Sequence, residues 1–530
     1  MKRRFLKKIF IITMPLLFSF SLASCSEEPK EPYVSIDDPI TPKYIVSFDT
    51  DGGNEIDKAI VEENKLLDKP NDPIKEKYTF LGWYLDDEIF DFNNPITKNI
   101  TLKAKWRDDS VITLNRLFEN HYYDIETNLE SSYFNSPSSE FNNDIARFAF
   151  NLVSINLGDE IVQKFYHALD FSDIDLVKEN GDSYQGVSYT IGKRNMGDYD
   201  LVAVSIRGMR YYEEWALNFD LGKSGNHYDF DRCANIVYES LKNYFNKYNL
   251  NNNTKILISG YSRSGAISNI LGDKLMRDTN KLVTDDNLYV YTFEAPMSIE
   301  KENAVAYPNV FNIINSADFV TYVAPEEYNF KRCGIDIDIY NSNIANIVKE
   351  FDNDYNISEF KANFGSSIKS YEKLYNELIK KLLSYKADPN SNTYLDDLNY
   401  EIDTREKYDS NLNPTIQYLF KFVFNTNNAT LHKMFNGLIN LANNDTLKLI
   451  GLFTDSIKLH DFVASYLIED NITYDDNELQ KASDKIVGTI LRNSSLLLFI
   501  YSNSNNLSNM PVMHSPLVIY ILLDYYLKNN

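Results

Sequence analysis

The chain has 530 residues, 43% of them hydrophobic and 24% charged, with a formal net charge of -23. That length exceeds one ordinary core and implies two or three folded units, and the apolar share is that of a packed protein rather than a disordered one. So negative a chain repels nucleic acid and has no general affinity for anionic lipid heads, which excludes DNA and RNA as partners.

Residues 1–24 open with Lys2, Arg3, Arg4, Lys7 and Lys8, continue with an apolar run from Ile9 to Phe20, and end in Leu22-Ala-Ser before Cys25. This is the pattern of a signal peptide, too short for an ordinary membrane span. The Leu-Ala-Ser-Cys ending resembles the lipobox of bacterial lipoproteins. The resemblance implies cleavage before Cys25, diacylglycerol on its thiol, and an exported protein lipid-anchored to the membrane and facing the cell exterior. Residues 25–43 are rich in Pro, Glu and Asp and read as a solvated linker.

Residues 44–106 contain Tyr44-Ile-Val-Ser-Phe-Asp-Thr-Asp-Gly-Gly53, Tyr78-Thr-Phe-Leu-Gly-Trp-Tyr84 and Ile100-Thr-Leu-Lys-Ala-Lys-Trp106. Alternating apolar residues, a double-glycine turn and terminal aromatics predict a small β-rich module. The segment closely resembles the Listeria-Bacteroides repeat, also called the internalin B-repeat, a β-grasp-like surface module. That implies a spacer, or a module that recognises a surface ligand; it holds no acid, base or nucleophile constellation.

Residues 107–340 read as an α/β core. Leu201–Arg207, Lys255–Ser259, Leu288–Phe293 and Val310–Ile314 are short apolar runs of strand type, and Phe230–Tyr248 has helical spacing between the first two. Strands alternating with helices predict a mostly parallel sheet whose sites form beyond the carboxyl ends of the strands. Arg207-Gly208-Met209, Ser262, Glu294-Ala-Pro296 and Asp318 fall at those ends. The most pointed signal is Lys255-Ile-Leu-Ile-Ser-Gly-Tyr-Ser262-Arg-Ser-Gly-Ala266, a strand running into a Gly-flanked serine and then a helix. A serine hydroxyl is a weak nucleophile, and an enzyme activates it by holding it on a sharp turn beside a base and beside donors for an oxyanion. Small neighbours are then required, and Gly260, Ser264 and Gly265 supply them. Of the cysteines besides Cys25, Cys233 and Cys333 can form one bridge or remain two buried thiols. The six histidines are scattered without a His-Glu-x-x-His pattern, so no transition metal and no cofactor is expected.

The ordered set Ile206-Arg-Gly208, Glu214-Trp215, Asn218-Phe219, Gly225-Asn-His227, Gly260 to Asn269, Tyr291-Thr-Phe-Glu-Ala-Pro296 and Asn312-Ile-Ile-Asn-Ser-Ala-Asp318 resembles the class 3 lipases, an α/β-hydrolase family. The resemblance implies an α/β-hydrolase-type sheet with Ser262 as nucleophile and Asp318 as the acid that orients a histidine. It further implies an oxyanion hole from the backbone amides of Arg263 and Met209. His227, Trp215 and Asn218 are expected to support the fold around the site rather than to react. Where the family reads Gly-His-Ser-x-Gly-Gly, this chain has Gly260-Tyr-Ser-Arg-Ser-Gly265, and the β-carbon of Ser264 is expected to add to the strain of the turn. Chain order of nucleophile, acid, then histidine leaves His432, His460 and His514 as bases. His514 is the choice, because Met513-His-Ser-Pro516 near the carboxyl terminus resembles the family's terminal histidine before a helix.

Residues 341–504 show helical spacing over Phe360–Lys386, Thr415–Phe424, Leu431–Leu441, Ser456–Leu467 and Leu479–Tyr501, a large helical insertion or lid before the histidine-bearing end, 505–530. The Ile416–Phe424 run reads as a buried helix or as an apolar face for lipid. The expected protein is a surface-anchored serine hydrolase that cleaves carboxylic esters of lipids through an acyl-enzyme. An acyltransferase or peptidase with the same triad, and an inactive surface-binding protein, are the alternatives.

Overall fold

Alternation of apolar and polar residues builds the amino-terminal module. Lys43–Asp49 (β1), Ala59–Glu62 (β2), Tyr78–Leu85 (β3), Glu88–Ile89 (β4) and Ile100–Asp108 (β5) form one sheet in the order β2-β1-β5-β3-β4, with β1 and β5 parallel. Val46, Val61, Trp83, Leu102 and Ala104 fill its core. Gly53 is obligatory at the first turn, since a β-carbon there would lie 2.7 Å from the Trp106 ring. The computed structural model describes residues 41–109, 111–118, 121–154, 159–177, 186–207, 217–323, 328–351, 405–414, 428–492 and 513–530. The leader with Cys25, the Met209 and Trp215 positions, and the helices expected over 360–386 and 415–424 lie outside the described residues.

After a hairpin of Ile112–Phe118 (β6) and His121–Thr127 (β7), the larger unit begins with two helices, Asn143–Ser154 (α1) and Asp159–Ala168 (α2). Then come Ser172–Val177 (β8), Tyr189–Asn195 (β9), Asp200–Ile206 (β10), Tyr228–Lys247 (α3), Lys255–Tyr261 (β11), Arg263–Arg277 (α4) and Leu288–Phe293 (β12). Ile299–Glu300 (β13), Val310–Ile314 (β14), Phe330–Lys331 (β15), Ile335–Asp338 (β16) and Ile344–Phe351 (α5) complete it. The main sheet has the order β16-β14-β12-β11-β10-β9-β8, parallel from β10 to β16 and antiparallel at β9 and β8. All four runs expected to be strands are β10, β11, β12 and β14.

The central strands are buried on both faces, which is why they read as continuous apolar runs. Leu201, Ala203, Leu257, Tyr289, Tyr291, Phe311 and Ile313 point to the side covered by α1 and the carboxyl-terminal helix. Val202, Val204, Ile206, Ile256, Ile258, Val290 and Val310 point to α3 and α4. The period of two along each strand thus feeds two separate cores.

The small module is bonded to the large one. Arg107 Nε donates to Asp109 Oδ1 at 2.7 Å, and Arg194 Nη2, from β9, donates to the same oxygen at 2.6 Å. Arg194 Nη1 also reaches the Leu129 carbonyl at 2.7 Å, and Arg107 Nη1 the Asn195 carbonyl. All three charged side chains are buried, and burial pushes the Arg194 guanidinium down to about 10. The expected spacer therefore has a fixed seat on the far end of the sheet from the carboxyl ends of its parallel strands.

In the insertion, Asn428–Asn444 (α6), Thr446–Thr454 (α7), Ser456–Glu469 (α8) and Asp476–Arg492 (α9) are helical. Leu459, Val463, Leu467, Leu479 and Val487 give α8 and α9 a small core of their own. Pro516–Asn529 (α10), with Pro516 in its first turn, closes the chain against α1 and α5. Cys233 and Cys333 are both buried free thiols, which resolves the cysteine alternatives in favour of no bridge between them.

Candidate active site

The β11–α4 turn carries Ser262 with φ +58° and ψ -128°, a left-handed backbone that costs a non-glycine residue about 1–3 kcal/mol. Its amide donates to the Phe293 carbonyl at 2.8 Å, and its carbonyl accepts from Ala266 at 3.2 Å. Gly260 cannot be larger, because a β-carbon would come within 2.1 Å of the Ser264 carbonyl. At Gly265 it would sit 3.0 Å from Ala295 and from the Phe293 carbonyl. Ser264 corrects the expectation of added strain. It is helical, and its Oγ accepts from the Tyr261 amide and donates to the Tyr261 carbonyl, each at 2.8 Å. The hydroxyl closes the elbow that its β-carbon was expected to disturb.

Asp318 follows β14 and is wholly buried. Its Oδ1 accepts from the Val320 amide at 2.9 Å, so it also caps the 3-10 turn Phe319–Tyr322. Oδ2 takes the Nδ1 side of His514 at 2.5 Å, and His514 Nε2 stands 2.8 Å from Ser262 Oγ. The three residues predicted from chain order are thus in one hydrogen-bonded line. Such a line can move the serine proton to imidazole while the carboxylate holds the tautomer that makes this transfer productive. The other two candidate histidines stand elsewhere in the chain's helices. His460 meets Asp461 and Asp476 at 3.1 Å each, and His432 belongs to α6.

His514 is held by its main chain as well. Tyr261 Oη donates to the His514 carbonyl at 2.6 Å, and Asn315 Nδ2 donates to the Met513 carbonyl at 3.3 Å. Burial, then Glu294, then Asp318 raise the Tyr261 phenol well above its ordinary value and keep it a donor. The sequence offered Tyr261 only as a departure from a family pattern, and its partner lies more than 250 residues away. Glu294, singled out as a strand-end residue without a role, is buried beside Asp318 and accepts from the Asn315 amide on both oxygens, at 2.9 and 3.1 Å.

Arg263 is the first residue of α4, where the helix dipole favours an anion. Its side chain turns inward to Asp229 at 2.6 Å and to the Gly186 carbonyl at 3.2 Å. His227 occupies the supporting place expected of it: Nε2 lies 2.9 Å from the Asn218 carbonyl and the ring stacks on Phe230. Burial pushes it down to about 4, so it is neutral at physiological pH. Met209, the other expected oxyanion donor, is outside the described residues. The insertion meets this region through Arg405. Its guanidinium donates to the carbonyls of Leu221, Gly222, Ser224, Gly225 and Asn226 and lies 4.2 Å over the Phe330 ring.

With this geometry in place, residues 203–328 match the family model described as Lipase (class 3). This segment is a class 3 lipase domain. The class 3 lipase match contains Ser262 and Asp318, whereas His514 comes from beyond it. Residues 44–105 match the Listeria-Bacteroides repeat domain. The chain is 45% identical over 67 residues to one protein of Evansella cellulosilytica and 35% identical over 68 to another, both named as membrane proteins. Each match covers 12% of this chain; the chain spans only 10% and 8% of those relatives. No helix among the described residues is long and apolar enough to cross a membrane. The Rhizomucor miehei lipase propeptide complex is 14% identical, covering 38% of this chain and 67% of its own, with a TM-score of 0.29. Lip2 lipase of Yarrowia lipolytica is 14% identical, covering 38% and 79%, with a TM-score of 0.28. The class 3 lipase match lies within the larger unit, whose main sheet carries both Ser262 and Asp318 at strand ends.

Proposed function

We propose that this protein is a surface-anchored serine hydrolase that cleaves carboxylic esters of lipids through an acyl-enzyme. The observation that carries the reading is the line Ser262–His514–Asp318, its nucleophile borne on a strained elbow inside the class 3 lipase match. His514 Nε2 takes the Ser262 proton as Oγ attacks the ester carbonyl, and Asp318 holds the proton on Nδ1 and stabilises the imidazolium. The Arg263 amide, with Met209 as its partner by family resemblance, receives the charge on the carbonyl oxygen. Loss of one such donor typically costs about 2.7–4 kcal/mol in the transition state. His514 then returns the proton to the leaving alcohol, and water releases the acyl group by the reverse sequence. The helical insertion acts as the lid, and Cys25 carries the lipid that tethers the protein on the outer side of the membrane.

The test is a fluorophosphonate probe on the form beginning at Ser26, with the adduct located by peptide mass spectrometry and Ser262→Ala as control. Labelling at Ser262 is expected, followed by preference for long acyl chains over short ones. A folded protein that stays unlabelled with detergent present overturns the enzyme reading, and an acceptor-dependent product would make it a transferase.

A further inference from the structure

The mechanism above uses one carboxylate, yet two are buried together at its end. Glu294 follows β12, in the sheet between the Ser262 strand and the Asp318 strand, and is held at φ +48°. Its amide donates to the Ile313 carbonyl at 3.0 Å. Both carboxyl oxygens take the Asn315 amide, and the carboxyl is buried close to that of Asp318, whose charge opposes its ionisation. Neither carboxyl has any exposed surface.

Two neighbouring carboxyls buried together do not both ionise readily, and one holds a proton. The surroundings decide which. Asp318 accepts from His514 and from the Val320 amide, partners suited to a charged oxygen. Around Glu294 stand Asp318 and Asp338, whose charges oppose a further anion, and Tyr261, a neutral phenol. Arg332 is the nearby cation, but its guanidinium is engaged by Asp336 at 2.8 Å and by the Ala295 carbonyl at 3.1 Å. Among the described residues Glu294 forms no ion pair, and burial, with Asp318 next, raises its carboxyl well above the ordinary range.

We infer that Glu294 is a positioning residue: its neutral carboxyl donates a hydrogen bond to Asp318, so that Asp318 alone carries the charge facing His514 and is fixed from two sides. This rests on the Ser262–His514–Asp318 reading and deepens it. The donor also draws charge from Asp318, the carboxylate that faces His514. Glutamine can make both contacts, with its amide donating to Asp318 and its carbonyl accepting from Asn315.

The experiment compares Glu294→Gln and Glu294→Leu with wild type in kcat, KM and the pH profile of Ser262 phosphonylation. Loss of a hydrogen bond to a charged group predicts a fall in kcat of about tenfold or more for Glu294→Leu, with KM unchanged and the acid limb moved to higher pH. Glu294→Gln is expected to recover most of that rate with the acid limb where wild type has it. If Glu294→Gln moves the acid limb down, Glu294 is ionised in the native protein and the inference fails; it also fails if the Leu variant keeps its kcat. Should the Leu variant not fold, the Gln profile still decides. Infrared spectra of the folded proteins at neutral pH give a readout free of turnover: a protonated-carboxyl band lost in Glu294→Gln and shifted in Asp318→Asn is expected, and its absence overturns the inference. A wild type that carries this band but is never labelled at Ser262 would instead overturn the hydrolase reading alone.

Discussion

Replacing Tyr261 by Phe removes one oxygen from the elbow and leaves the ring packed 5.3 Å from the His514 imidazole and 6.2 Å from Phe150. The lost hydroxyl is a 2.6 Å donor to the His514 carbonyl, so the variant tests how far His514 is held through its main chain. A buried acceptor left without its partner costs about 1–3 kcal/mol. Another tether in this turn, from Asn315 to the Met513 carbonyl, is longer at 3.3 Å and one residue removed. If most of that energy serves to hold the imidazole 2.8 Å from Ser262, phosphonylation slows by roughly three- to thirtyfold, at about 1.4 kcal/mol per factor of ten. The assay is the rate constant for fluorophosphonate labelling, measured beside the thermal melting point. A melting point that falls while the labelling rate stays at the wild-type value would refute the reasoning, because the hydroxyl would then serve the fold and not the histidine.

Asp109→Ala leaves Arg107 and Arg194 buried against each other, so unfolding in urea should weaken by about 3–5 kcal/mol, with both modules losing stability in one transition. Ser264→Gly, which restores the family's residue, should destabilise by about 1–2 kcal/mol through loss of two hydrogen bonds to Tyr261 and of helix propensity, again read from the urea midpoint. Burial holds His227 at about 4 against an ordinary 6.5, so between those values the unfolded chain binds more protons. Stability should therefore decline as pH falls from 6.5 toward 4, by about 3 kcal/mol in all. The slope should flatten in His227→Gln, compared by unfolding at pH 7 and pH 4.5. Arg405→Met strips five carbonyls of a shared donor and should raise hydrogen exchange across residues 221–227 by at least tenfold, while exchange in β11 stays slow.

Local sequence was enough for the parallel strands and the turn that carry the site, and not for the hairpin β6–β7, the outer strands β8, β9 and β16 or the helices α1, α2 and α5. The β11 run ending in Gly260-Tyr-Ser262 carries its own strand, turn and helix signals. The apolar runs of β10, β12 and β14 are legible because strands buried on both faces leave no polar alternation. The order of Ser262, Asp318 and a later histidine also follows from the chain itself. The partners do not. His514 lies 252 residues from Ser262 and 196 from Asp318; resemblance singled it out among three histidines, but its contact with both depends on α10 packing against α1. Tyr261 read as a departure from a pattern until its hydroxyl had a carbonyl to meet. Ser264 read as strain until its own turn folded back upon it. Glu294 became part of the site only when adjacent strands buried its carboxyl near that of Asp318. Periodicity records which face a residue presents, because that is set by its neighbours along the chain. Which distant group it meets there, and which of two acids keeps the proton, is decided by the burial that only the packed tertiary structure creates.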